Sequence, residues 1–300
     1  MSYMNILVYG AGAIGSAIGE KLSGQHDVTL VSRKPHADAI SSNGLLVCSS
    51  KGKKRVFLKC VTSIDGMEPP DVIIVTTKAY DSKHAGDDIS RIIDNNTIIA
   101  SIQNGLGNYE HISRRFGRNG VVGTTTMGVT MTRPGEIVLA GEGVTSFGPY
   151  DDAAEKITDI FIKSGFEART SSRIFSDIWM KAIANASINP ITVISGKTNG
   201  CILYEPYMSL AKEACYEAAA VAEAEGVMLD DPWKAVRDIA EKTSSNKSSM
   251  LQDIEKGRKT EINQITGEIV RRAGGIGIPV PVNSALLELI RSMEKKDKRL

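Results

Sequence analysis

Lys181, Asn185 and Asn189 recur at i, i+4 and i+8 within an apolar stretch that includes Ala182, Ile183, Ala184, Ala186 and Ile188. On a helix these three polar residues fall along one side. A lysine in apolar company has its ammonium form disfavoured by desolvation, which suits it to release a proton near neutral pH. Two amides on the same stripe can hydrogen-bond an oxyanion or a hydroxyl, so the set reads as a general acid with its substrate ligands. The same spacing also describes a helix whose apolar residues face a core and whose Lys–Asn–Asn stripe faces water. Spacing alone leaves the two readings level. The Asn189-Pro190 step is expected to end this helix, because proline disfavours helical geometry in the residue before it.

A second constellation is Gly10-Ala11-Gly12-Ala13-Ile14-Gly15, which follows Ile6-Leu7-Val8-Tyr9 and precedes the helical stretch from Ser16 to Ser23. Strand, glycine turn and helix in that order mark a dinucleotide site, with the pyrophosphate on the N–H groups of the helix start. Gly10 is expected to allow the tight turn, Gly12 the approach of backbone to phosphate, and Gly15 the close packing of helix on strand. The next strand, Asp27 to Val31, runs into Ser32-Arg33-Lys34. An NAD-preferring site carries a carboxylate about 20 residues beyond the glycines to bind the ribose 2′-hydroxyl. None stands here, and an Arg33 guanidinium pairs well with a 2′-phosphate, so NADP(H) is the expected cofactor. Lys78 and Asn104 each follow an apolar strand run, and ligands in an open parallel sheet lie beyond the carboxyl ends of strands. Taken singly, they also fit a surface lysine and an Asn-Gly turn.

The elements that must position these residues are legible as alternation. Apolar runs at Asp71 to Val75, Thr97 to Ser101 and Gly120 to Gly123 continue the first two strands, with helical stretches between. This predicts an α/β fold with an N-terminal Rossmann-type parallel-sheet domain over residues 1–172. Glu136 to Ala140 and Val144 to Phe147, separated by Gly141-Glu142-Gly143, read as a hairpin, and residues 151–170 as one more helix and strand. From Ile174 the strand runs vanish. Helical periodicity covers Tyr207 to Gly226, Pro232 to Thr243, Met250 to Arg272 and Ser284 to Met293, which predicts a mostly α-helical C-terminal domain over 173–300.

Composition narrows the partners. The 300 residues carry a net charge of +1 from 36 basic and 35 acidic side chains, so no global field favours nucleic acid or an anionic membrane. No apolar run approaches the ~20 residues of a membrane span. Cys48, Cys60, Cys201 and Cys215 show no C-x-x-C spacing, and no charged-then-apolar leader is present, as expected of a reduced cytoplasmic protein. His26, His36, His84 and His111 form no metal-binding pair, so no metal site is expected. The segment Lys51-Gly52-Lys53-Lys54-Arg55 reads as a solvated basic turn in a hairpin-like excursion, and Lys295 to Arg299 as a solvated tail. A homodimer is compatible with such a chain.

Over nearly its full length the chain resembles the ketopantoate reductase, or 2-dehydropantoate 2-reductase, family. The matching residues are the Gly10–Gly15 loop, Arg33, Lys78, Gln103-Asn104-Gly105, Gly123-Thr124-Thr125-Thr126, Lys181 with Asn185 and Asn189-Pro190, Asn199-Gly200, Ser248 to Asp253, and Thr260-Glu261-Ile262. The resemblance implies NADPH-dependent reduction of 2-dehydropantoate to (R)-pantoate, on the route to pantothenate and coenzyme A. Lys181 would then donate a proton to the C2 oxygen, which avoids a buried alkoxide. Asn185, Asn189, Asn199 and Ser249 would hold the substrate, and Asn104 would touch substrate and cofactor. Lys78, Gly128 and Glu261 would contact the cofactor. If residues 249–261 form one straight helix, Ser249 and Glu261 lie ~18 Å apart and ~120° round its axis, and only a bend at Gly257 brings them closer. Two alternatives share the motifs: a reductase of another branched 2-oxo acid, and a non-catalytic NADP(H)-sensing regulator.

Overall fold

The computed structural model describes residues 3–108, 110, 115–149 and 151–296; His111 and residues 297–299 of the basic tail lie outside this set. The chain divides into two units, one built on residues up to Gln103 together with Asn108–Ile174, the other on Asn104–Gly107 together with Phe175 onward.

Among the described residues the first unit is organised by twelve strands: β1 (Asn5–Tyr9), β2 (Asp27–Val31), β3 (Leu45–Ser49), β4 (Gly52–Val56), β5 (Lys59–Val61), β6 (Val72–Val75), β7 (Ile98–Ser101), β8 (Gly120–Thr125), β9 (Gly128–Arg133), β10 (Glu136–Gly141), β11 (Val144–Gly148) and β12 (Glu167–Thr170). Eight of them form one sheet in the order β12-β11-β8-β7-β6-β1-β2-β5. All neighbours from β5 to β8 are parallel. Parallel sheets are covered on both faces, which explains why β6, Val72-Ile73-Ile74-Val75, is buried at every residue. Its strand order reverses direction at β1, between β2 and β6, and such switch points are where dinucleotides bind. Helices α1 (Ala13–Leu22), α2 (Lys34–Asn43), α3 (Ser82–Ile89) and α4 (Asp152–Lys163) belong to this unit.

The hairpin expected at residues 136–147 does not form. The strand β10 pairs with β9 and β3 in a separate four-stranded sheet, whereas β11 joins β8 and β12 in the large one. The cause lies in what β11 buries: Phe147 is fully enclosed and meets Phe161 of α4 edge-on at 4.8 Å. Gly141-Glu142-Gly143 therefore carries the chain from one sheet to the other. Gly143 has φ +59, and a Cβ there would lie 2.5 Å from the Met127 nitrogen. The charged excursion is a hairpin as expected, with β3 antiparallel to β4 and Lys53, Lys54 and Arg55 exposed.

His36 ties three parts of this unit together. Its Nδ1 accepts from the Gly135 N–H at 2.9 Å, so the ring proton sits on Nε2, 3.0 Å from Ser16 Oγ. Burial holds the pKa of His36, and that of His26, below the ordinary imidazole value. The folded state thus favours neutral rings, while the unfolded chain takes up protons near pH 6.5. Stability is expected to be level above that pH and to fall below it. Urea titrations from pH 8 to pH 5 should show the decline, and His36→Gln should make it shallower; a midpoint that does not move over this range refutes the assignment.

The second unit contains α5 (Ile174–Ser195), α6 (Tyr207–Ala224), α7 (Pro232–Lys242), α8 (Ser249–Glu255), α9 (Thr266–Ile276) and α10 (Pro281–Lys296). Two expectations need correction. Helix α5 does not stop at Asn189 but runs through Pro190 to Ser195. An interior proline costs about 3 kcal/mol, yet Ile188, Ile191 and Val193 around it are all buried, at roughly 2 kcal/mol each. Burial wins, and the Thr192 hydroxyl donates to the Asn189 carbonyl at 2.7 Å. The helix expected over 250–272 is two helices, α8 and α9. Between them Gly257 adopts φ +61, and Arg258 N–H turns back to the Asp253 carbonyl at 2.8 Å. Ser249 and Glu261 therefore do not share a helix, and the straight-helix separation does not apply.

Candidate functional site

The glycine turn leaves β1 with both Gly10 and Ala11 N–H groups donating to the Val31 carbonyl, at 3.1 and 2.8 Å. This pins the turn to the end of β2. Each glycine has its own reason. Gly10 has φ +98, and a Cβ there would stand 2.5 Å from the Thr77 backbone nitrogen. At Gly15 a Cβ would lie 2.4 Å from Thr76 Oγ1 and 2.8 Å from the Gly10 carbonyl, so this glycine lets α1 sit tightly on the strand ends. Gly12 is the opposite case: a Cβ would find no atom nearer than 3.8 Å. The absence of a side chain there serves nothing inside the protein and leaves room for a ligand. Gly12 also caps α1 without a side-chain bond, and the first turn holds no acidic residue. Unpaired N–H groups at the positive end of a helix suit a pyrophosphate. Ala11 completes the turn, and Ala13 and Ile14 begin α1.

Arg33 closes β2 as the residue before α2, and Lys78 follows β6 as the residue before the short turn Ala79–Asp81. Gln103, at the end of β7, donates from Nε2 to the Thr77 carbonyl, Thr77 Oγ1 and Ser82 Oγ, which fixes the ends of β6 and β7 side by side. The Gly10–Gly15 turn, Arg33 and Lys78 thus share the carboxyl ends of three adjacent strands. Gly128 opens β9 in the other sheet, where an added Cβ would lie 3.5 Å from Ala140 Cβ.

In the helical unit, Lys181 projects from α5, where burial pushes its pKa down to about 8 against the upward pull of the Glu261 carboxylate. Glu261 is itself only 5% exposed, and its Oε2 accepts from Asn104 Nδ2 at 3.2 Å. Asn104 reaches it because the segment 104–107 lies along residues 261–265. Leu106 N–H donates to the Gln264 carbonyl at 3.1 Å, and Gly105, at φ +87, packs so closely that a Cβ would stand 2.5 Å from that oxygen. Lys181, Glu261 and Asn104 therefore form one charged and amide cluster.

The rest of the stripe is not a solvated face, since Asn189 is 5% exposed. Its Nδ2 and the Asn199 Oδ1 are buried without a hydrogen bond inside the protein, while Asn199 Nδ2 donates to Thr243 Oγ1 at 3.0 Å. A buried polar atom left unpaired costs about 1–3 kcal/mol, so both atoms are suited to a ligand's oxygen or hydroxyl. Asn185 is half-buried one turn from Lys181. Ser249 is exposed at the start of α8, which Ser248 caps; Ser248 Oγ also pairs with Thr192 Oγ1 of α5 at 2.6 Å. Sequence reasoning assigned Glu261 to the cofactor and missed its charge beside Lys181. A separation of 80 residues along the chain offers no local cue. Among the described residues no group of His, Cys, Asp and Glu is arranged to hold a metal, and no helix is long and apolar enough to cross a membrane.

A parallel sheet with a glycine turn at its switch point, joined to a helical unit with a desolvated lysine, defines a dinucleotide-dependent oxidoreductase. Family models agree: "Ketopantoate reductase PanE/ApbA" matches residues 6–152 and its C-terminal counterpart residues 173–294. The chain belongs to the ketopantoate reductase family. The 2-dehydropantoate 2-reductase of Pyrococcus horikoshii is 36% identical over 298 residues, covering 97% of this chain and 98% of its own. A PanE/ApbA family ketopantoate reductase from Ralstonia eutropha superposes with TM-score 0.92 at 28% identity, over 98% of this chain and all of the other. D-mandelate dehydrogenase, solved with NADH and anilino(oxo)acetate, superposes with TM-score 0.93 at 27% identity, with 98% and 100% covered. The protein is an oxidoreductase of this family.

Proposed function

We propose that this protein reduces 2-dehydropantoate to (R)-pantoate with NADPH, as a step towards pantothenate and coenzyme A. The observation that carries the reading is Lys181, a desolvated lysine whose pKa of about 8 is held up by Glu261. At pH 7 it is protonated yet releases its proton readily, which is what a general acid requires. The Gly10–Gly15 turn would hold the pyrophosphate, Arg33 the 2′-phosphate, and Lys78, Asn104, Gly128 and Glu261 other parts of the cofactor. When bound, the reduced nicotinamide supplies the hydride. Lys181 gives its proton to the C2 oxygen as charge develops there. Asn104, Asn185, Asn189, Asn199 and Ser249 orient the carboxylate and hydroxyl of the substrate, with the unpaired Asn189 and Asn199 atoms favouring that role. Four free cysteines fit a cytoplasmic location.

The test is NADPH oxidation by the purified protein with ketopantoate, beside pyruvate, 2-oxoisovalerate and phenylglyoxylate, and with NADH in place of NADPH. Ketopantoate is expected to lead by about 10-fold or more, because one methylene in an apolar pocket is worth ~1–3 kcal/mol. The likeness to D-mandelate dehydrogenase favours a second reading, reduction of a different 2-oxo acid. A lead for phenylglyoxylate or 2-oxoisovalerate selects it. Cofactor binding without turnover of any acid selects a non-catalytic sensor.

A further inference from the structure

Arg33 and Asp81 stand where β2 and β6 end, on either side of β1 and its glycine turn. Arg33 Nη2 lies 3.3 Å from Asp81 Oδ2. The guanidinium is 84% exposed and the carboxylate 40%, so this is a screened, easily broken pair. The carboxylate has no task in the helix that follows it, since Asp81 precedes α3 without a side-chain capping bond. What it meets is Arg33, the guanidinium beyond the end of β2 assigned above to the 2′-phosphate.

We infer that Asp81 is a cofactor-discriminating residue, which partners Arg33 and opposes by its charge a ribose that carries a 2′-phosphate. The inference rests on the cofactor reading given above. A dinucleotide with a 2′-phosphate must draw Arg33 from Asp81 and bring its dianion close to a carboxylate. A dinucleotide with a free 2′-hydroxyl does neither. An arginine alone would set a strong preference for the phosphorylated cofactor; the Arg33–Asp81 pair narrows it, and NADH becomes a usable second cofactor.

Calorimetric titration of the full chain with NADPH and with NADH, in low salt and without substrate, tests this apart from catalysis. Asp81→Asn is expected to tighten NADPH about three- to fivefold and NADH by less than about 1.5-fold, the size of an exposed charge effect. The gain in selectivity should shrink in 0.5 M salt. Asp81→Ser should shift the ratio in the same direction, which guards against a defect particular to one variant. Equal tightening of both dinucleotides, or none, overturns the inference and leaves the proposed function intact. A wild-type protein that binds neither dinucleotide overturns both together.

Discussion

Lys181→Ala is expected to lower turnover by about 10²- to 10⁴-fold, the usual contribution of a positioned general acid. Its NADPH affinity should change little. The wild-type pH profile supplies a second readout with a definite sign. Reduction needs the protonated lysine, and its pKa is about 8, so the rate should be level below that pH and fall above it. In the oxidation direction the neutral amine is needed, so that rate should rise through the same pH. Glu261 raises the lysine's pKa; Glu261→Gln should therefore move the falling limb to lower pH. Stopped-flow measurement of hydride transfer reads these effects without product release. Retention of a tenth or more of wild-type turnover by Lys181→Ala would remove it from the role.

The second large effect concerns two neighbouring glycines that should fail differently. Gly10→Ala places a Cβ 2.5 Å from the Thr77 nitrogen at φ +98, and backbone cannot yield as a side chain can. A left-handed backbone costs roughly 1–2 kcal/mol and overpacking another 1–3. Melting temperature and cofactor affinity should both drop, affinity by about 100-fold. At Gly12 the added methyl meets no protein atom nearer than 3.8 Å, so Gly12→Ala should melt within about 1–2 °C of wild type while still losing cofactor affinity. Paired calorimetric melts and NADPH titrations separate the two. If Gly12→Ala binds NADPH normally, the pyrophosphate does not lie on this turn.

The contrast between these glycines marks what could be read in advance. Strands β1, β2, β6 and β7 were legible because a doubly covered parallel strand writes itself as an unbroken apolar run. The glycine turn was legible because its function is local. The hairpin at 136–147 misled because Gly-Glu-Gly between two β-type runs fits a tight turn equally well; only the burial of Phe147 against Phe161 decides otherwise. Pro190 misled because local propensity is a small term beside three buried aliphatic residues. Strand β9 went unseen because its residues, half-buried from Gly128 to Met131 and exposed at Thr132 and Arg133, lack a sustained apolar run. In the site, the lysine–asparagine stripe was visible as spacing, but whether water covered it was not. The ionic partners of Lys181 and Arg33 lie 80 and 48 residues further along the chain, beyond any periodicity.

One consequence of the tetrapeptide Asn104–Gly107 reaches into how this family can be recombined. These four residues leave the first unit after Gln103, and the chain re-enters it at Asn108. A crossover at Ile174, the obvious seam for grafting the helical half of one relative onto the nucleotide-binding half of another, would thus set a foreign Asn104 and Gly105 against Glu261 and Gln264 of the helical half. The amide that meets Glu261 and the glycine that clears Gln264 belong, as a cassette, with the helices that follow them. A chimera respecting that inheritance has three junctions rather than one.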